Sequence, residues 1–289
     1  MAGATRVVSL LPSATEIVSE LGLFDLLVGR SEECDWPPTA AELPVVSSSR
    51  VDTAELSGRE VDDAVRSAVA NGRSLYALDE ELLRKLRPDL VLTQELCAVC
   101  AVSAGDVCAL NVPSLALDPR TLDDIAGSVC TVADALGYLE RGVARAGLMR
   151  ADLARVAEAV EGLARPRVFL AEWVDPPYAP GHWLAEMVEV AGGECVMGRP
   201  GEHSFRTDWD AIRRLDPDVV VLAPCGYDAE RAAQEPIPEL RARVVAVDAS
   251  AFYARPAPRV VDGARQLAHL LHPEAVADPH LPLLELVAA

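Results

Sequence analysis

Two short stretches constrain this chain more than any other feature: Leu86-Arg-Pro-Asp-Leu-Val-Leu-Thr and Leu215-Asp-Pro-Asp-Val-Val-Val-Leu. In each, a Pro-Asp pair ends a helix and a run of apolar β-formers comes next, as at the start of a buried strand. The echo extends further. Arg6-Val-Val-Ser-Leu-Leu opens one half and Arg167-Val-Phe-Leu-Ala-Glu opens the other. Each run leads through a loop into a helix that ends at glycine, Ala14 to Gly22 and Trp183 to Gly192. Val112-Pro-Ser-Leu-Ala-Leu-Asp is matched by Val244-Val-Ala-Val-Asp. Short apolar runs between helical patterns predict parallel sheet in α/β units. The expected fold class is therefore α/β, with two similar parallel-sheet lobes and a ligand cleft between them.

The stretch from Tyr138 to Ala164 contains no proline, and its apolar residues recur at helical steps. Val143, Leu148, Leu153, Val156, Val160 and Leu163 are expected to share one stripe of a long helix that Pro166 stops. This predicts a first lobe over 1–137, a rigid connecting helix over 138–165 and a second lobe over 166–289. Residues from Ser57 to Tyr76 have no counterpart in the second half. They read as an insertion that begins with a capping box, Ser57-Gly-Arg-Glu60, and either covers the cleft or offers a surface to a protein partner.

A chain of 289 residues suits two domains, and 51% hydrophobic residues suffice for their cores. No apolar run approaches the roughly 18 residues of a membrane span, so no membrane insertion is expected. A net charge of −19 argues against nucleic-acid partners. The first strand begins almost at once, with no basic region, apolar segment or cleavage site before it, which predicts a cytoplasmic chain. Seven cysteines, an odd count, then read as thiols or ligands rather than a disulfide framework.

In open parallel sheets, ligands sit at the carboxyl ends of the strands. After the first strand, Ser13 and Glu16 form a second capping-box pattern. That helix start also offers N–H groups to a ligand. The next strand end carries Cys34, Asp35 and Trp36, and the strand from Leu90 ends near Cys97-Ala-Val-Cys100. The richest loop comes after the strand at Arg167 and holds Glu172, Trp173, Asp175, Tyr178, His182 and Trp183, stiffened by prolines. Such a loop suits a large flat ligand, because little side-chain entropy is lost on binding. Later strand ends bring Cys225 with Tyr227, and Phe252 with Tyr253, while Trp209 stands after a helix cap at Thr207 or Asp208.

The stretches Arg6–Gly22, Asp35-Trp-Pro-Pro38, Leu86–Leu92, Val168–Gly193 and Phe252–Leu271 resemble the class III periplasmic-binding-protein family, and within it the vitamin B12-binding branch. The resemblance implies two lobes joined by a rigid helix and aromatic side chains that grip a corrin. Carried over, Tyr178, Trp209, Phe252 and Tyr253 stand at matching aromatic positions. Glu33 and Arg50 depart from the pattern in the first half, where Trp36 can compensate. The implied ligand is cobalamin or a related tetrapyrrole, with His182 as a candidate axial ligand. A cytoplasmic chain cannot hand ligand to a transporter permease from outside, so the expected partner is the small molecule alone.

A second reading takes the thiols as ligands. Cys34, Cys97, Cys100, His182 and Cys225 would together suit zinc or iron, held directly or as a chelate. A third is a thiol-dependent enzyme in which Cys97 or Cys225 pairs with His182. No Ser-His-Asp order, phosphate loop or dinucleotide fingerprint supports other catalysis, and a binding protein rather than an enzyme is expected.

Overall fold

The computed structural model describes residues 3–53, 55–71, 74–94 and 112–286. The chain forms two compact units. The first comprises Met1–Leu56, Asp63–Pro119 and Asp124–Leu148; the second comprises Ser57–Asp62, Arg120–Asp123 and Met149–Ala289.

In the first unit the elements are β1 (Val7–Ser9), α1 (Pro12–Glu20), β2 (Leu27–Ser31), β3 (Val45–Ser49), α2 (Gly58–Ala70), β4 (Tyr76–Leu78), α3 (Glu80–Leu86), β5 (Leu90–Gln94), β6 (Ser114–Leu117) and α4 (Leu122–Ala135). Both α2 and α4 begin on residues that group with the second unit. The sheet runs β4-β3-β2-β1-β5-β6, parallel except for β4. Val8, Leu10, Val46, Leu83 and Val91 form one of its cores.

Helix α5 (Leu139–Ala159) leads into β7 (Arg167–Ala171), β8 (Tyr178–Ala179), α6 (Trp183–Val190), β9 (Glu194–Cys195), β10 (Phe205–Arg206), α7 (Trp209–Leu215), β11 (Val219–Leu222), α8 (Ala229–Ala232), β12 (Arg243–Val247), α9 (Ala249–Phe252), α10 (Val260–Leu271) and β13 (Leu283–Leu286). The second sheet runs β13-β12-β11-β7-β9, with only β13 antiparallel. Strands β8 and β10 pair separately as a short antiparallel ribbon. Phe169, Ala171, Ile212, Val220, Leu222 and Tyr227 share a core on this second sheet. All-apolar runs such as Val219–Leu222 are buried throughout, as expected for strands covered on both faces.

The internal repeat holds at the level of atoms. Helix α3 ends at Arg87 and α7 at Asp216, both left-handed, with φ of 46° and 47°. Two residues on, Asp89 and Asp218 each turn a carboxylate onto the start of the neighbouring strand. Asp89 Oδ1 accepts from the Arg6 N–H at 2.9 Å, and Asp218 Oδ2 accepts from the Arg167 N–H at 2.7 Å. The two arginines return the contact: Arg6 Nη2 donates to Leu86 O at 2.6 Å, and Arg167 Nη2 to Leu215 O at 2.8 Å. Burial works to raise the Asp89 pKa, but the Arg6 and Thr5 donors outweigh it and hold the carboxyl below its ordinary value.

Helix α5 covers Leu139–Ala159, ending before the expected stop at Pro166, and only part of the expected stripe is buried. Val143 and Leu148 are each 58% exposed, while Val156 on the helix and Val160 just beyond it are buried together with Ala146 and Met149. The reason is close packing. A Cβ on Gly142 would lie 2.5 Å from Ala133 Cβ of α4, so the inward face of α5 uses small residues there. The expected cap of α1 also differs. Pro12 opens the helix, Leu11 stands at the cap without a side-chain bond, and Ser13 and Glu16 are buried within the helix. Proline at the first helical position lacks the N–H that would go unpaired there, and its fixed φ suits a helix start.

Gly22 and Gly192, the equivalent helix stops, have φ of 69° and 80°. Alanine at either is expected to cost about 1–2 kcal/mol from left-handed strain. At Gly192 the new Cβ would also lie 2.7 Å from His272 Nε2 and 2.9 Å from Val160 Cγ2. Gly192→Ala is therefore expected to lose about 1–3 kcal/mol more than Gly22→Ala in urea unfolding; equal losses would refute this packing account.

Candidate functional site

In the second unit, the loops after β7, β11 and β12 are laced together by main-chain bonds. Ala223 N–H donates to Ala171 O at 3.0 Å, Cys225 N–H to Glu172 O at 3.2 Å, and Ser250 N–H to Tyr227 O at 3.0 Å. The β7 loop folds on itself: Glu172 N–H donates to Tyr178 O at 3.1 Å and Tyr178 N–H to Trp173 O at 3.0 Å. Glu172 Oε2 accepts from Gly181 N–H at 2.8 Å and closes the far end. Its carboxylate thus organises the loop.

Within this frame stands an aromatic group. Trp173 meets Tyr227 edge to face, with centroids 5.2 Å apart. The Arg231 guanidinium lies 3.9 Å from the centroid of Tyr227. Tyr178 is half-buried at the start of β8. Helix caps add charge at the strand ends: Asp228 Oδ1 accepts from Arg231 N–H at 2.8 Å, and Asp248 Oδ1 from Ala251 N–H at 2.9 Å. Burial pushes the Asp248 carboxyl up; the Ala251 N–H acts against that and the nearby Asp228 charge adds to it. The Arg259 guanidinium sits 5.5 Å from the Phe252 centroid.

Other predicted residues turn inward. Tyr253 is fully buried, its hydroxyl donating to Gln266 Oε1 at 2.7 Å, and burial pushes its pKa up. Trp183 is buried and donates through Nε1 to Tyr253 O at 2.7 Å. These two are core, which corrects their reading as ligand contacts. Trp209 is half-buried against the core, edge-on to Phe169 at 6.2 Å, and Asp208 rather than Thr207 caps its helix. His182 has φ of 51° before α6, and its Nε2 lies 3.2 Å from His203 Nδ1.

In the first unit, Asp35 is exposed and Trp36 is 38% exposed on the loop after β2. Cys34 between them and the strand is buried, and Thr15 Oγ1 donates to its sulfur at 3.1 Å. Cys225 is exposed. Cys97 and Cys100 lie outside the described residues. Among the described residues no group of three or more His, Cys, Asp and Glu is arranged to hold a metal ion. No described helix is long and apolar enough to cross a membrane.

The residues that sequence reasoning missed come from the insertion. Arg59 pairs with both oxygens of Asp175, its Nε 3.2 Å from Oδ2. Tyr178 Oη donates to Asp62 Oδ1 at 3.1 Å, and Trp173 Nε1 to Gly58 O at 3.1 Å. The signal was present in part. The Ser57–Glu60 capping box forms as predicted, with Ser57 Oγ donating to Glu60 Oε2 at 2.7 Å, and Arg59 and Asp62 flank it at helical spacing.

With this geometry in view, the chain belongs to the periplasmic binding protein family, whose model matches residues 7–240. The vitamin B12-binding protein of Yersinia pestis is 25% identical over 293 residues, covering 96% of this chain and 90% of that one. The crystal structure of the periplasmic vitamin B12 binding protein of Vibrio cholerae superposes with a TM-score of 0.70 at 22% identity, over 94% of this chain and 98% of that one. A periplasmic heme binding protein from Pseudomonas aeruginosa gives a TM-score of 0.75 at 20% identity, over 99% of both chains. The family is one of solute-binding proteins, not enzymes. The expectation of a cytoplasmic chain is overturned, because the matched family and these structural neighbours are periplasmic.

Glu235 supplies a test of the site's electrostatics. Burial pushes its carboxyl up, the Gly58 N–H and Arg231 act against this, and the Asp175 charge adds to it. A raised carboxyl favours the folded state below its unfolded pKa and loses that contribution as pH rises through the folded value. Glu235→Gln is therefore expected to be more stable than the parent at pH 7, with the advantage shrinking towards pH 4 in thermal unfolding. A constant difference across that range would refute the assignment.

Proposed function

We propose that this protein binds cobalamin or a related tetrapyrrole and presents it to an ABC-type importer. The observation that carries the reading is the β7 loop, where Trp173 and Tyr178 are held on a proline-stiffened frame at the carboxyl end of a parallel strand. Similarity to a B12-binding protein along 96% of the chain supports the same ligand class. A macrocycle offers a large apolar face and a polar rim. Aromatic side chains with few rotatable bonds gain contact area with such a face at little entropic cost. Trp173, Tyr178 and Phe252 are the proposed contacts. Glu172 holds the loop shape.

Titration with cyanocobalamin and, separately, hemin, read by visible absorbance and calorimetry, tests this. Saturable binding of cyanocobalamin or hemin below about 10 μM is expected. Trp173→Ala and Tyr178→Ala are each expected to weaken it by about tenfold or more. Tyr253→Phe, in the core, should leave affinity unchanged. Absence of saturable binding of either tetrapyrrole would overturn the proposal.

A further inference from the structure

The insertion puts its first turn to a use that the repeat does not explain. Ser57–Asp62 groups with the second unit, and three of its residues make polar contacts with the β7 loop. Gly58 O takes the indole N–H of Trp173. Asp62 takes the hydroxyl of Tyr178. Arg59 takes the carboxylate of Asp175. The capping box at Ser57 and Glu60 winds the turn, and that winding brings Gly58, Arg59 and Asp62 to bear on one loop.

Gly58 lies tight against the end of the Glu235 side chain. A Cβ there would lie 2.6 Å from Glu235 Oε2 and 3.1 Å from its Cδ. The Gly58 N–H faces the Glu235 carboxyl and acts against the effect of its burial. The Arg59 side chain is 56% exposed, so its pair with Asp175 is screened by water and salt. The turn is thus held by several weak contacts. That is the balance of a segment that opens and recloses rather than one that is locked.

We propose that the first turn of α2 is a gate over the β7 loop, shut in this structure. It occupies the Trp173, Tyr178 and Asp175 polar atoms that a ligand of this loop would use, so a ligand enters only when the turn lifts. The gate rests on the reading of this loop as the ligand site. It has a kinetic signature that simple ligand contacts lack. Loosening a contact residue speeds departure, whereas loosening a gate that competes with the ligand speeds arrival.

The test uses the full chain and two independent readouts. The double variant Arg59→Ala/Asp62→Ala removes the side-chain contacts. Thermal unfolding checks that it folds. In stopped-flow mixing with cyanocobalamin, the double variant is expected to raise the association rate by about fivefold or more with dissociation little changed, so that Kd falls. A rise in dissociation alone, or unchanged rates, would overturn the gate. Hydrogen exchange without ligand is the second readout: amides of residues 57–62 should exchange about tenfold faster in the double variant. Unchanged exchange there would overturn the gate whether or not cyanocobalamin binds. Failure of cyanocobalamin to bind the parent would sink the ligand reading, and the exchange result would then decide the gate alone.

Discussion

The carboxylate that receives the first N–H of the central strand is the contact on which both units depend. Asp89 and Asp218 sit two residues past a left-handed helix end and grip the starts of β1 and β7. A parallel strand has no hairpin turn to set its register against its neighbour, so register must come from elsewhere. Here it comes from the amino end. The clamp aligns β5 with β1 and β11 with β7, and the opposite ends of the strands then finish level with one another. The loops that carry the aromatic and charged side chains start from those ends.

Level strand ends let neighbouring loops meet, and the resulting site is built mostly of main chain. The loops after β7 and β11 bond to each other through Ala223 and Cys225, and the loop after β12 bonds to Tyr227. Side chains placed on such a frame lose little freedom when they meet a ligand. The same frame explains why Trp183 and Tyr253 disappear into the core. Each directly borders a helix terminus, and a single hydrogen bond between Trp183 Nε1 and Tyr253 O fastens those two helices together.

The sequence was a good guide wherever backbone chemistry is local. The Pro-Asp helix stops, the glycine helix ends and the capping box at Ser57 all appear at the predicted positions, because each depends on a few neighbouring residues. It was a poor guide wherever a partner from elsewhere decides. The apolar stripe of α5 tracks residue size in the sequence, yet the helix turns Gly142 and Ala146 inward because α4 approaches closely. Aromatic residues at loop edges look alike in a sequence, and only tertiary packing separates half-buried Tyr178 from wholly buried Tyr253. Cys34 looked like a metal ligand, whereas its sulfur accepts a hydroxyl from Thr15 in the adjoining helix. The pairing of Arg59 with Asp175 spans 116 positions and leaves no local pattern to find.

The antiparallel strand β13 has a consequence for how molecules meet one another. It lies along β12, from Val244 opposite Leu286 to Val247 opposite Leu283, and Arg243 pairs with Glu285 across the seam. Without it, the outer edge of a parallel apolar strand would present a row of unpaired donors and acceptors, which is a template for joining a second sheet. The strand that replaces it as the border is short and carries an outward acid. Strand β13 therefore acts as a selvedge: it leaves the β12 edge no row of unpaired groups for a second sheet to join.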